Sequence, residues 1–272
     1  MNPDRDYQNS LFVALFSELE PFTHLYNALS DENLNNTSSF RFISLEDVLF
    51  RLFRKDVCFL SEDRFILLIE QQYTINNNMP LLLLDYIATL YNKLSGHERF
   101  FRNMLFKLPT PEVIVLYNGV DSFPDEKILK LSDAFKTPPK KQFGSIDLTV
   151  RVININNKRN YPILIKCKEL YEYSIIIDKV RENWSLGSDL INSVDLALNY
   201  CIENNILVDF LKKNSLDVRD MLLREFEFYI IQQVRTEEGM EKTYKKYLSQ
   251  VKSLSEKGYT HEQIIDILKK GK

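Results

Sequence analysis

The stretch FILLIEQQYTINNNMPL, Phe65–Leu81, decides how the chain is read. Phe65 to Ile69 form an uninterrupted apolar run, the pattern of a strand covered on both faces rather than one alternating toward solvent. Glu70, Gln71 and Gln72 follow directly. Burying an ionised carboxylate costs on the order of several kcal/mol unless something compensates it. Glu70 is therefore expected to be paired, to hold a metal, or to lie at an open strand end.

The segments on either side give this run its setting. Upstream, DVCFL is an apolar run headed by Asp56, and the turn-like SEDR joins it to FILLIEQQ, which predicts a hairpin. Ser44 followed by Glu46 and Asp47 resembles a helix start, with a hydroxyl cap and acids in the first turn. Residues 7–30 place apolar side chains at helical spacing with an interruption near Pro21, predicting two short helices. Downstream, MPLLLLDYIATLYNKLSG carries its proline in the first turn and a glycine near its end, as a well-buried helix does. EVIVLYNG reads as a short buried strand ending in an Asn-Gly turn, and LTVRVININ as a strand of strong β-propensity. Residues 121–145 between them read as a long connection, and from Tyr161 the pattern is mostly helical. The expected division is a helical lead-in over 1–40, an α/β core over 41–183 and a helical C-terminal region over 184–272.

Bulk composition excludes several classes. At 272 residues and 44% hydrophobic the chain can bury a substantial core. Its 35 basic and 38 acidic residues leave a formal net charge of -3, so any surface for a polyanion must be local. Seven glycines and no GxGxxG or GxxxxGK[ST] argue against a phosphate-cradling loop. Cys58, Cys167 and Cys201 lack metal or disulfide-framework spacing, which fits a reducing compartment. The N-terminus lacks the apolar core of a signal peptide, and no apolar run is long enough to cross a bilayer. A cytoplasmic protein with no membrane partner is expected.

The acids can be set against this map. In an antiparallel pair the start of one strand lies beside the end of the next, so Asp56 and Glu70 can share one end of the sheet. Two neighbouring carboxylates repel unless a divalent cation lies between them. Alternation puts Gln72 on the face of Glu70 and leaves the backbone carbonyl of Gln71 as a third ligand. Such a set suits magnesium, which activates water and neutralises charge developing on a phosphodiester. A structural role for the two acids, with no ion, is the competing reading.

The order of helix, Asp strand and Glu-x-Gln strand, followed by NNNMPLLLLDYIATLYNKL, LPTPEVIVLYNG, LKLSDAF and LTVRVININ, resembles the bacterial recombination-promoting nucleases. These are also described as transposase-like members of the PD-(D/E)XK nuclease superfamily. The likeness runs from about Tyr7 through CIENNILVDFLKKNSLDV to about Glu227. It implies a restriction-endonuclease-like core, a mixed central sheet flanked by helices, with the helical C-terminal region appended. Asp56 in KDVCF matches the family's Asp and Glu70 the acid of its Glu-x-Gln motif; both would hold Mg2+, or Mn2+ in its place. Gln72 stands where the wider superfamily usually has lysine, and Glu46 resembles an assisting helix acid. Two features depart from the pattern. Leu82 occupies the place of an arginine found in many relatives. Only two strands can be placed before the MPLLLL helix where the superfamily core has three, with SFRFI and LTVRVININ as candidates for the missing one.

The resemblance implies a magnesium-dependent endonuclease acting on DNA in recombination, mobile-element movement or defence, with a homo-oligomer as an allowed assembly. The alternative is a degenerate nuclease fold that binds DNA or protein. His24, His97 and His261 stand in separate contexts with no nucleophile pattern. Cys58 reads as an inert core thiol, Trp184 as a packing anchor, and Lys136, Lys140 and Lys141 as a basic loop that could touch a DNA backbone.

Overall fold

A computed structural model describes residues 10–30, 40–43, 56–61, 63–71, 76–95, 103–137, 145–156, 162–214 and 216–227, with isolated positions beyond. For residues 56, 65 and 67–71 it describes the backbone alone. The chain divides into two compact units, Met1–Glu225 and Phe226–Lys272. The strands and helices named below belong to the first.

The fold is α/β, built on a mixed sheet of six strands in the order β1-β2-β3-β4-β6-β5. The strands are β1 (Arg41–Ile43), β2 (Asp56–Leu60), β3 (Arg64–Gln71), β4 (Thr110–Tyr117), β5 (Glu126–Lys130) and β6 (Thr149–Asn154). β1, β2 and β3 pair antiparallel in succession, β3, β4 and β6 run parallel, and β5 closes the far edge antiparallel to β6. Both candidates for the unplaced strand are thus in the sheet: Arg41–Ile43 as β1, beside β2, and LTVRVININ as β6.

The β2–β3 hairpin forms where the polar tetrad was expected to turn. Ser61 N–H donates to the Arg64 carbonyl at 2.9 Å, and the Ser61 hydroxyl donates to Asp63 at 2.7 Å. Parallel strands cannot be joined by so tight a turn and need a crossover. Between β3 and β4 it is α3 (Met79–Ser95). Met79, Leu83, Tyr86, Ile87 and Leu90 are buried along it, the i, i+4, i+7, i+8, i+11 stripe of a helix facing a core. They pack with Cys58, Leu60, Val115, Tyr117, Val150 and Val152 from one face of the sheet.

The opposite face carries α1 (Leu11–Phe16), α2 (Leu19–Ser30) and α5 (Lys168–Ser185). Ser10 caps α1 by accepting from Val13 N–H, and Pro21 falls in the first turn of α2, where a missing N–H costs little. Phe22 of α2 stacks on Phe59 of β2 with ring centroids 3.8 Å apart. Phe12 of α1 meets Tyr173 of α5 edge-on at 5.7 Å. Helix α4 (Pro162–Lys166) leads into α5, and α6 (Leu190–Glu203) packs back on α5, with Asp189 as its N-cap accepting from Asn192 N–H. Cys201 is buried and Ile202 half-buried. Helix α5 runs without a break through position 184, so the helical region begins as part of the layer that covers the sheet.

The segment expected as a long connection contains β5. Its sequence EKILK buries only Leu129, and its other side chains are exposed. Charged edge strands of this kind block further pairing and carry little apolar signal. Arg151 of β6 grips Glu126 with two bonds of 2.9 Å and donates a third to the Leu29 carbonyl, tying this edge to α2.

Candidate functional site

Asp56 is the first residue of β2, and Glu70 and Gln71 are the last two of β3, so the fold brings all three to one end of the sheet. Asp56 is paired with Ile69, one residue before Glu70. On the other side of β3, Glu70 pairs with Leu116 and Gln71 with Tyr117. The register groups Asp56 with Cys58 in one alternation, and Glu70 with Leu116 in the other, since a one-residue shift exchanges faces. Glu46 and Gln72, together with the helix expected from Ser44, lie outside the described residues, as do Lys140 and Lys141. Lys136 is exposed.

The carboxyl ends of β3, β4 and β6 meet at this same end, the position where open α/β sheets accommodate ligands. A cluster of amides occupies it. Asn118 and Asn154 are both buried. Asn154 donates from Nδ2 to the Phe123 carbonyl at 3.0 Å, and its Oδ1 accepts from Asn156 N–H at 3.1 Å and Asn156 Nδ2 at 2.8 Å. Asn156 also donates from Nδ2 to the Gly119 carbonyl at 3.1 Å. These bonds latch the turn after β4 to the end of β6. Arg181, half-buried on α5, donates to Asn118 Oδ1 at 3.3 Å and, through its other Nη, to the Asn118 carbonyl. Asn118 Nδ2 is buried, with no acceptor among the described residues. An orphaned buried donor is rare enough in folded proteins to call for an explanation.

Sequence reasoning took Asn118 and Gly119 for a turn and passed over Arg181. The visible signal was the recurrence of asparagine at the ends of two strands, in LYNG and VININ; nothing in sequence joins position 181 to them.

A second feature lies between the start of α3 and the edge strand β5. A cleft of about 310 Å³ is lined by Asn77, Pro80, Leu81, Lys127, Lys130 and Asp133 among others. Lys127 Nζ donates to Asn77 Oδ1 at 3.2 Å. Elsewhere, His24 Nδ1 lies 2.8 Å from Glu169 Oε1. Burial is the largest single influence on the Glu169 carboxyl and pushes it up, but the hydrogen bonds it accepts from His24, its own backbone N–H and Cys167, with the charge of His24, together hold it below its ordinary range. Cys167, 3.6 Å from the same carboxylate, is pushed up to about 12, chiefly by burial, and is therefore a protonated, unreactive thiol at neutral pH. This pairing fastens α2 to the start of α5.

Among the described residues no group of three or more His, Cys, Asp or Glu side chains is placed to hold a metal ion, and no helix is long and apolar enough to cross a membrane. Comparison with family models gives no match, and neither curated proteins nor solved structures give a significant one.

Proposed function

We propose that the chain is a magnesium-dependent endonuclease with a restriction-endonuclease-like core, acting on DNA. The observation that carries this reading is the placement of Asp56 at the start of β2 and Glu70 and Gln71 at the end of β3, in a sheet where antiparallel strands lead through α3 into parallel β4. Two carboxylates and a carbonyl are hard oxygen donors, the set that suits Mg2+. Asp56, Glu70 and the Gln71 carbonyl would hold the ion, which when bound supplies an activated water and neutralises charge on the phosphate. In the hydrolysis, the water oxygen forms a new P–O bond as one ester P–O bond breaks. The attacking water gives up one proton to solvent and the departing oxygen takes one up from it, so the step balances. Gln72 can orient the attacking water by hydrogen bonding but brings no charge. Lys127 and Lys130, with the Lys136 loop, are suited to contacts along the DNA backbone.

One observation favours the alternative, a nuclease fold that binds DNA or protein without cutting. With Asp56 opposite Ile69, a shared ion requires Asp56 to leave the regular alternation at the first residue of its strand, where the ladder constrains it from one side only. The experiment that separates the readings is cleavage of supercoiled plasmid in Mg2+ by the wild type and by Asp56→Ala. Cutting that needs both Mg2+ and Asp56 supports the enzyme; DNA or protein binding without cutting supports the alternative.

A further inference from the structure

In the site proposed above, Gln72 can offer hydrogen bonds but no positive charge. Electrostatic stabilisation of the phosphate is a large part of such catalysis, so the missing charge must come from elsewhere or the rate must suffer. Arg181 is placed to supply it. Glu70 pairs with Leu116 in the parallel β3–β4 ladder, and Asn118 follows two residues later, in the same alternation as Glu70. Arg181 reaches this strand end from α5, which belongs to the helical layer opposite α3. Tyr117, in the other alternation, packs on the α3 side.

Among the described residues the guanidinium is oriented but not neutralised. Two of its five N–H donors go to the carbonyl and Oδ1 of Asn118, which leaves three. Among the described residues no carboxylate pairs with it. Asn118 is itself held in place, since the turn it opens is latched by Asn156 to the Gly119 carbonyl. Beside it, the Asn118 Nδ2 donor is buried without an acceptor among the described residues. A fixed guanidinium next to an unanswered amide donor, at the carboxyl ends of parallel strands, is a setting that calls for an anion. A phosphate oxygen fits the planar fork of arginine better than any neutral ligand does.

We propose that Arg181, oriented by Asn118, binds the scissile phosphate and supplies the positive charge that Gln72 lacks. The assignment of that phosphate as scissile rests on the nuclease reading; the binding of a phosphate does not. Two measurements separate them. The first is affinity for a short DNA duplex in EDTA across a range of salt. Arg181→Gln, which retains an amide donor for Asn118 while removing the charge, should reduce the slope of log K against log salt by about 0.9, one phosphate contact. The second is cleavage of supercoiled plasmid in Mg2+. Arg181→Ala should cut about 100-fold more slowly or worse, Arg181→Lys should retain part of the rate, and adding Gln72→Lys to Arg181→Ala should restore part of what was lost. Melting curves of each variant identify any that fail to fold, and Arg181→Gln serves if Arg181→Ala does. An unchanged salt slope overturns the phosphate assignment. A normal slope change with full cleavage by Arg181→Ala overturns the catalytic one. A wild type that binds DNA with Arg181 in the slope, yet never cuts, overturns the nuclease reading and leaves Arg181 as a phosphate contact.

Discussion

Asp56 stands opposite Ile69 in the β2–β3 ladder, one residue before Glu70, at the end of the sheet where β3, β4 and β6 finish. Ligands of one ion at roughly 2 Å cannot lie much more than twice that apart. A crystal grown with Mn2+ should therefore show one ion in contact with Asp56, Glu70 and the Gln71 carbonyl, the two coordinating carboxylate oxygens about 3 to 4 Å apart. Anomalous scattering locates the ion directly. Side chains of Asp56 and Glu70 on opposite faces of the sheet in that crystal would exclude a shared site.

If Asp56 and Glu70 share one site, their like-charge repulsion in the metal-free protein predicts a response to metal in the melting curve. Binding to the folded state alone stabilises by about 2.7 kcal/mol at a ligand concentration of 100 Kd, so Mg2+ should raise Tm. Glu70→Gln should abolish cleavage while leaving the metal-free protein as stable or more so, because it removes one repelling charge and keeps the shape. If that variant instead loses several kcal/mol, on the order expected for a broken buried ion pair, and Mg2+ leaves the wild-type Tm unmoved, Glu70 is a structural partner.

Leu83 and Leu81 of α3 test which side of that helix meets the sheet. Leu83 is fully buried and Leu81 is 54% exposed. Leu83→Ala should cost about 2–5 kcal/mol in chemical denaturation, and Leu81→Ala no more than about 0.5. Equal costs would mean that α3 packs in another rotation.

Asp195 on α6 receives two bonds from Arg219, at 2.6 and 3.0 Å, joining α6 to the helical residues 216–225. The Arg219 hydrogen bond holds the Asp195 carboxyl below its ordinary value. A depressed carboxylate contributes stability above its unfolded pKa of about 3.9, and that contribution is lost as pH falls through the folded value. Because both side chains are about one-third exposed or more, the pair is worth only about 0.2–1 kcal/mol. Asp195→Asn should be less stable than wild type at pH 7 by that amount, with the gap closing at strongly acid pH. A gap that persists unchanged in acid would point to packing rather than charge.

Where sequence and structure agree, a local pattern had a single physical solution. The apolar run at Phe65–Ile69, the polar SEDR turn and the proline-headed helical stripe from Met79 each specify one element, and β2, β3 and α3 stand where those signals put them. The common end of Asp56 and Glu70 follows from hairpin connectivity alone. Their register does not, because a one-residue shift depends on how the hairpin closes and not on the residues at its far end. β5 escaped because four of its five side chains are exposed, and an edge strand's pairing is visible only in its partner. Arg181 escaped because its meaning lies in a contact with Asn118, 63 residues away. The strand candidate SFRFI was resolved by pairing: three residues carry too little periodicity to name a strand until β2 lies beside them.

Cleavage of supercoiled plasmid is the most direct test of the central claim. The purified chain is incubated with plasmid and Mg2+, alongside Asp56→Ala of matched Tm and a wild-type sample in EDTA. Nicked or linear product from the wild type with Mg2+, and none from the other two, is the result expected if Asp56 and Glu70 hold a catalytic ion. Cleavage by Asp56→Ala at the wild-type rate, or a folded wild type that leaves the plasmid intact with either Mg2+ or Mn2+, would contradict it.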